Sequence, residues 1–174
     1  MNSAKAIVGL SLLLCFSSAG FAQNEPCTSD ARFSAFDFWV GDWDVYANGN
    51  PVGSNSIVKH EAGCLLLESW EGAGGSTGMS LNYFNPVSGF WQQVWVSAGE
   101  YAIDISGGLV NESMVLVGEL YNYGSGETFD FRGTWTPNAD GSVRQFFEQV
   151  NPETSAWEPW FDGRYVRKDT DSTL

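Results

Sequence analysis

The sequence predicts an all-β protein: a closed antiparallel up-and-down barrel of about 8–10 strands with a short helical turn ahead of the first. Three observations lead there. Short segments of alternating polarity recur at a spacing of roughly 8 to 12 residues, each bounded by turn-forming residues. No stretch carries the apolar period of a full-length helix. The segment Phe36-Asp37-Phe38-Trp39-Val40-Gly41-Asp42-Trp43-Asp44-Val45 packs aromatics and carboxylates around one glycine. Its Gly-x-Trp step on a first strand suggests a barrel whose floor is plugged by the tryptophan.

Residues 1–22 read as a secretory signal peptide and are set aside. Lys5 supplies the positive start, and Ala6 to Phe16 form an apolar run too short to span a bilayer. Gly20 and Ala22 stand at the −3 and −1 positions of a cut before Gln23. Leu12-Leu13-Leu14-Cys15 lacks the small residue that a lipoprotein signal places before its cysteine, so lipidation is not expected. Residues 23–168 then form a single domain without a linker or repeat, and 169–174 read as a frayed polar tail. The protein is expected in the periplasm or outside the cell.

A helical turn is expected around Ser34–Trp39. Strands are expected near Trp43–Tyr46, Ser54–Glu61, Cys64–Glu71, Gly78–Phe84 and Phe90–Ser97. Others follow near Tyr101–Ser106, Ser113–Leu120, Phe129–Thr136, Ser142–Val150 and Trp157–Val166. The breaks between them include Asn85-Pro86-Val87-Ser88-Gly89, Gly107-Gly108, Gly124-Ser125-Gly126 and Asn151-Pro152. Loops this short favour sequential hairpins, and closure removes the exposed edges that such a meander would leave. A two-sheet sandwich uses the same alternation and is the competing architecture.

With 8 Lys and Arg against 21 Asp and Glu, the net charge is −13. Such a field repels phosphate backbones and anionic bilayers, which argues against nucleic-acid partners. No integral membrane span is expected once the signal is removed, and no residue pattern specifies an oligomeric state. Cys15 leaves with the signal, so Cys27 and Cys64 remain and are expected to pair in an oxidising compartment. Metal binding is a poor alternative with a single histidine, and no cofactor motif is present.

The ordered elements Phe-Asp-Phe-Trp-x-Gly-x-Trp-x-Val at 36–45, Gly63-Cys64-Leu65-Leu66-Leu67-Glu68 and Trp91-Gln92-Gln93-Val94-Trp95-Val96 carry a resemblance. So do Arg132-Gly133-Thr134-Trp135-Thr136-Pro137, Asp140-Gly141-Ser142-Val143-Arg144-Gln145, and Trp157 through Phe161-Asp162-Gly163-Arg164-Tyr165. Together they resemble a family of secreted bacterial proteins of unknown function with a calycin-like, lipocalin-related barrel. The resemblance implies a fold and no activity. It also implies an arginine of the last strand stacked on the Gly-x-Trp tryptophan: Arg164 on Trp43, or Arg167 as the alternative.

The polar candidates lie on strands. In Cys64–Glu71 one face carries Cys64, Leu66, Glu68 and Trp70. If that face looks inward, Glu68 is a carboxyl among apolar groups and needs a partner. Arg132 is the expected partner, with Gln93 and Gln145 completing a polar cluster beside Trp70 and Trp95. The bland reading of Glu68 is a structural ion pair; the functional one is a ligand-binding or acid–base group. Glu148 is a candidate second carboxylate for acid–base work. His60, between Lys59 and Glu61, reads as a surface residue rather than a haem ligand. The loop Gly72-Ala73-Gly74-Gly75-Ser76-Thr77-Gly78 is glycine-rich without a phosphate-loop lysine and is expected at the barrel mouth.

With 8 Trp, 12 Phe and 6 Tyr, the aromatic content exceeds what a small core requires. The leading expectation is therefore a barrel that binds a small apolar or aromatic ligand. One alternative is an isomerase-, cyclase- or hydratase-type enzyme using interior carboxylate and arginine groups. Another is a carbohydrate- or envelope-binding module using Trp157 and Trp160.

Overall fold

Alternating side chains make each strand two-faced, and in this chain the successive hairpins bury one face of every strand in a common interior. The computed structural model describes residues 26–168. The expected signal peptide at 1–22 and tail at 169–174 lie outside the described residues. Ten strands follow in order: β1 (Gly41–Ala47), β2 (Asn50–His60), β3 (Leu65–Gly72), β4 (Thr77–Asn85) and β5 (Phe90–Ser97), then β6 (Tyr101–Val110), β7 (Ser113–Asn122), β8 (Thr128–Pro137), β9 (Val143–Val150) and β10 (Trp157–Arg167). Each pairs antiparallel with the next, and β10 returns to β1 with Trp43 opposite Arg167 and Val45 opposite Tyr165. The sheet is a closed up-and-down barrel, and the sandwich alternative falls.

One expected break is corrected. Gly107-Gly108 is not a turn: β6 runs through it to Val110, and the chain reverses at Asn111 and Glu112, which take φ of 49° and 67°. Gly107 is small for a different reason. A Cβ there would collide with the Val115 carbonyl of the neighbouring strand, so it marks close backbone approach within a ladder.

One end of the barrel is sealed by the N-terminal segment. Three single helical turns, Pro26–Ser29, Ala31–Ser34 and Asp37–Trp39, precede β1. This segment carries Phe33, Phe36 and Trp39 into the interior, all buried. Phe36 stacks on Trp39 at 5.0 Å and meets the edges of Trp91 and Trp135 at 5.6 and 5.2 Å. The Trp43 indole donates to the Trp39 carbonyl at 2.9 Å, and that of Trp91 to the Arg32 carbonyl at 3.2 Å. These bonds offset the polar cost of burying those two indoles, whereas the Trp39 and Trp135 indole nitrogens are buried without a partner. A Cys27–Cys64 disulfide ties the same segment to the start of β3. It closes a loop of 37 residues' separation and restricts the unfolded chain.

The arginine over Trp43 is Arg167, the alternative, and not Arg164. The Arg167 guanidinium lies 4.3 Å from the Trp43 ring and donates to the Val40 carbonyl at 3.1 Å. Arg164 instead faces outward and pairs with Asp140 at 2.6 Å. Strand parity explains the difference. Tyr165 fills the inward position opposite Val45, so its neighbour Arg164 must point away. Arg167 also accounts for Gly41, whose φ is +142° and whose missing Cβ would occupy the space of the Arg167 side chain.

Replacing Arg167 by Ala should lower stability by on the order of 1 kcal/mol, through loss of the guanidinium–indole contact and its carbonyl bond. Arg164→Ala, which removes an exposed ion pair, should change little. Urea midpoints of the two variants check this, and equal losses would contradict the assignment.

Candidate functional site

The aromatic plug fills the end of the barrel at β1's start, and the described residues leave the opposite half open. A cavity of about 200 Å³ lies there. Its wall is aromatic, with Trp70, Trp95, Tyr101, Phe147 and Trp160 from five different strands. Glu68, Gln93 and Gln145 supply polar groups, and Ile103, Phe161 and Tyr165 complete the lining with Ser76. Ser76 belongs to the glycine-rich β3–β4 hairpin, which therefore does reach the cavity. There the Gly72 amide bonds the Ser76 carbonyl at 2.7 Å.

Strand register builds the polar cluster. Glu68 on β3 stands directly opposite Ser80 on β4, and Asn82 on β4 opposite Gln93 on β5. Gln93 donates to Asn82 Oδ1 at 2.8 Å, and Asn82 donates to Ser80 Oγ at 2.7 Å. Ser80 in turn donates to Glu68 Oε2 at 2.5 Å. From β2, Asn55 donates to Glu68 Oε1 at 2.7 Å and to the Tyr165 hydroxyl at 3.3 Å. From Gln93 through Asn82 and Ser80 each donor thus points toward the carboxyl, Asn55 adds a second donor from the other side, and none of these groups is cationic.

Burial sets the proton affinity of this group. Glu68 is 2% exposed. Desolvation raises its pKa from the ordinary 4.5 to about 7, against the opposing pull of the Ser80 and Asn55 bonds. Tyr101 is pushed up to about 12, first by burial and then by the Glu100 and Glu68 carboxylates. Tyr165 lies well above its ordinary value for the same leading reason, with Glu68 adding to it.

Of the expected site residues, Glu68, Trp70, Gln93, Trp95 and Gln145 meet at this cavity. Arg132 does not, and the expected Glu68–Arg132 ion pair is absent. Arg132 points out of the barrel, bonds Glu148 at 2.8 Å and lies 4.5 Å over the Trp157 ring. Parity again decides. On β8 the inward positions are Phe131, Gly133 and Trp135, so Arg132 alternates outward. The same pair removes Glu148 as a second interior carboxylate. His60 is exposed at the end of β2 and is not part of the cavity wall. Trp157 and Trp160 do not share a face: Trp157 is outside under Arg132, whereas Trp160 sits at an irregularity between Pro159 and Phe161 and turns into the cavity.

Asn55, Ser80, Asn82, Tyr101 and Tyr165 were not anticipated. The signal for two of them is an inverted alternation on β4. There Ser80 and Asn82 are buried, while Met79, Leu81 and Tyr83 are exposed. Apolar residues on the outer wall hide a polar interior from any reading that assigns the greasy face to the core. Among the described residues no helix is long and apolar enough to cross a membrane. Neither a protein-family model nor a curated protein matches the chain.

The raised pKa has a thermodynamic consequence. Between about pH 4.5 and 7 the folded protein keeps the Glu68 proton while the unfolded chain has lost it. Through this group the fold is therefore more stable at the acid end, and the advantage is lost as pH rises through 7, by up to about 3 kcal/mol. Asp140 and Asp162, held below the ordinary carboxylate value by hydrogen bonds from Ser142 and Arg144 respectively, act only below about pH 4 and in the opposite sense. Urea unfolding of the wild type at pH 5 and pH 8 should show this decline, and Glu68→Gln should flatten it. A decline that persists in Glu68→Gln would place its origin elsewhere.

Proposed function

We propose that this chain is a secreted, calycin-type barrel that takes up one small, largely aromatic ligand in its interior cavity. The observation that carries the reading is an open half-barrel whose wall is tryptophan, tyrosine and phenylalanine and whose base holds the Glu68 cluster. Apolar walls with a few convergent polar groups are the usual composition of a ligand pocket. At about 200 Å³ the space suits a fragment-sized molecule, one ring with a short side chain. The disulfide supports an oxidising compartment. The closed meander and the guanidinium over the Gly-x-Trp indole support the calycin comparison.

A second reading, an acid–base enzyme of isomerase, cyclase or hydratase type, is favoured by one observation. Glu68 has a pKa of about 7 and lines the cavity, as a proton-transfer group would. A surface carbohydrate-binding module has less support, because Trp157 and Trp160 form no common platform.

Ligand-observed NMR with neutral one-ring aromatics, 2-phenylethanol among them, tests the binding reading. Saturable binding to the wild type is expected, in the micromolar-to-millimolar range of fragments. Ile103→Trp, which fills the cavity from β6, should weaken it by about tenfold or more, a step of 1.4 kcal/mol. No saturable binding by any member to the folded wild type would contradict the reading.

A further inference from the structure

The cavity carries an electrostatic asymmetry that narrows its ligand. Glu68 is a buried carboxyl with no basic group beside it, because every lysine and arginine among the described residues is engaged on the exterior. Arg32, Lys59, Arg132, Arg144 and Arg164 pair with Asp30, Asp37, Glu148, Asp162 and Asp140. Lys168 lies by Asp44, and Arg167 is held over Trp43. A buried carboxylate without a counter-ion is costly, and a cation brought in by a ligand would relieve that cost.

The hydrogen-bonding capacity points the same way. The Glu68 carboxylate offers about four lone-pair sites, and among the described residues Asn55 and Ser80 alone donate to it. Gln145, 4% exposed and part of the cavity wall, holds a buried side-chain oxygen with no donor. Asn55, 3% exposed and bonded to Glu68, holds another. Against these acceptors stands one unpartnered buried donor on the cavity wall, the Trp95 indole N–H, and no cationic donor. Its aromatic rings add electron-rich faces, which attract ammonium groups more strongly when desolvated. A net charge of −13 draws cations toward the mouth and repels carboxylate or phosphate ligands.

We propose that the cavity selects a small organic cation: a primary or secondary ammonium carried on a single aromatic ring, with Glu68 as its counter-ion. The ring occupies the aromatic wall, and the ammonium donates to Glu68 and to the unpartnered Gln145 oxygen. This rests on the reading of the barrel as an aromatic-ligand binder. The groups bonded into the Glu68 cluster or lining the cavity with it are Asn55 from β2, Ser80 and Asn82 from β4, Gln93 from β5, Tyr101 from β6, Gln145 from β9 and Tyr165 from β10. Of these only the two tyrosines titrate, and both are shifted upward and stay neutral at the pH values of interest. Glu68 is thus the switchable charge of the described cavity wall, and ammonium binding should strengthen as it ionises.

Calorimetric titration of the disulfide-bonded protein with phenethylammonium chloride and with 2-phenylethanol compares near-isosteric cationic and neutral probes. At pH 8 the ammonium is expected to bind about tenfold or more tightly than the alcohol, a difference of 1.4 kcal/mol. Its affinity should fall about tenfold per pH unit below 7, while that of the alcohol stays level or rises. Glu68→Gln should erase the preference, and the wild-type pH series needs no variant to fold. Equal binding of the two probes, or a preference that survives Glu68→Gln, would overturn the cation assignment and leave the aromatic-ligand reading standing. Binding of neither probe would overturn both.

Discussion

Closure is the constraint on which everything else depends. Ten antiparallel strands in a single meander leave two edges unless the last returns to the first, and β1 and β10 meet over Trp43–Tyr46 and Arg164–Arg167. A closed wall this wide encloses more space than inward side chains fill at both ends. The protein resolves this unevenly. At one end the N-terminal turns insert Phe33, Phe36 and Trp39, and Arg167 clamps Trp43 beneath them. At the other end none of the described residues plugs the barrel, and the interior there is a cavity.

The polar interior follows from the same register. Because neighbouring strands pair residue against residue, a polar side chain on one inward face meets whatever its partner strand presents. Glu68 faces Ser80, and Asn82 faces Gln93, so a relay of donors converges on one carboxyl. The cluster is specific because it is directional: the Asn55 amide and the Ser80 hydroxyl donate to Glu68, and no cation among the described residues neutralises it. A structural salt bridge would have satisfied the carboxyl within the fold. Its absence among the described residues leaves the charge to be balanced by protonation or by a bound molecule.

Much of this was legible in the residues. The strand count, the single meander and the Cys27–Cys64 pair follow from alternation, short loops and thiol arithmetic. Five of the six cavity candidates lie on the wall, because Glu68 and Trp70, or Gln93 and Trp95, share parity on one strand. The errors have physical causes. Arg132 is expected inward because its strand is otherwise lined by Phe129, Phe131 and Trp135, but those residues share a parity that Arg132 does not, and Phe131 and Gly133 on either side of it hold the interior. Arg164 failed for the same reason beside Tyr165. Asn55, Ser80 and Asn82 were missed because β4 reverses the expected polarity, with Met79 and Leu81 outside. Alternation reveals that a strand has two faces, but which face is inside depends on partners distant in sequence. Gly107 shows the local counterpart: glycine at a crowded ladder position is indistinguishable in sequence from glycine at a turn.

The central claim is that Glu68 is a buried carboxyl without a counter-ion, poised to change charge near neutrality. Carbon-13 NMR of the protein labelled at glutamate side-chain carboxyls measures this directly. One resonance should titrate near pH 7 and should vanish in Glu68→Gln. A Glu68 resonance titrating at or below the ordinary glutamate value would contradict the account, since it would mean that the carboxyl is solvated or already paired with a cation.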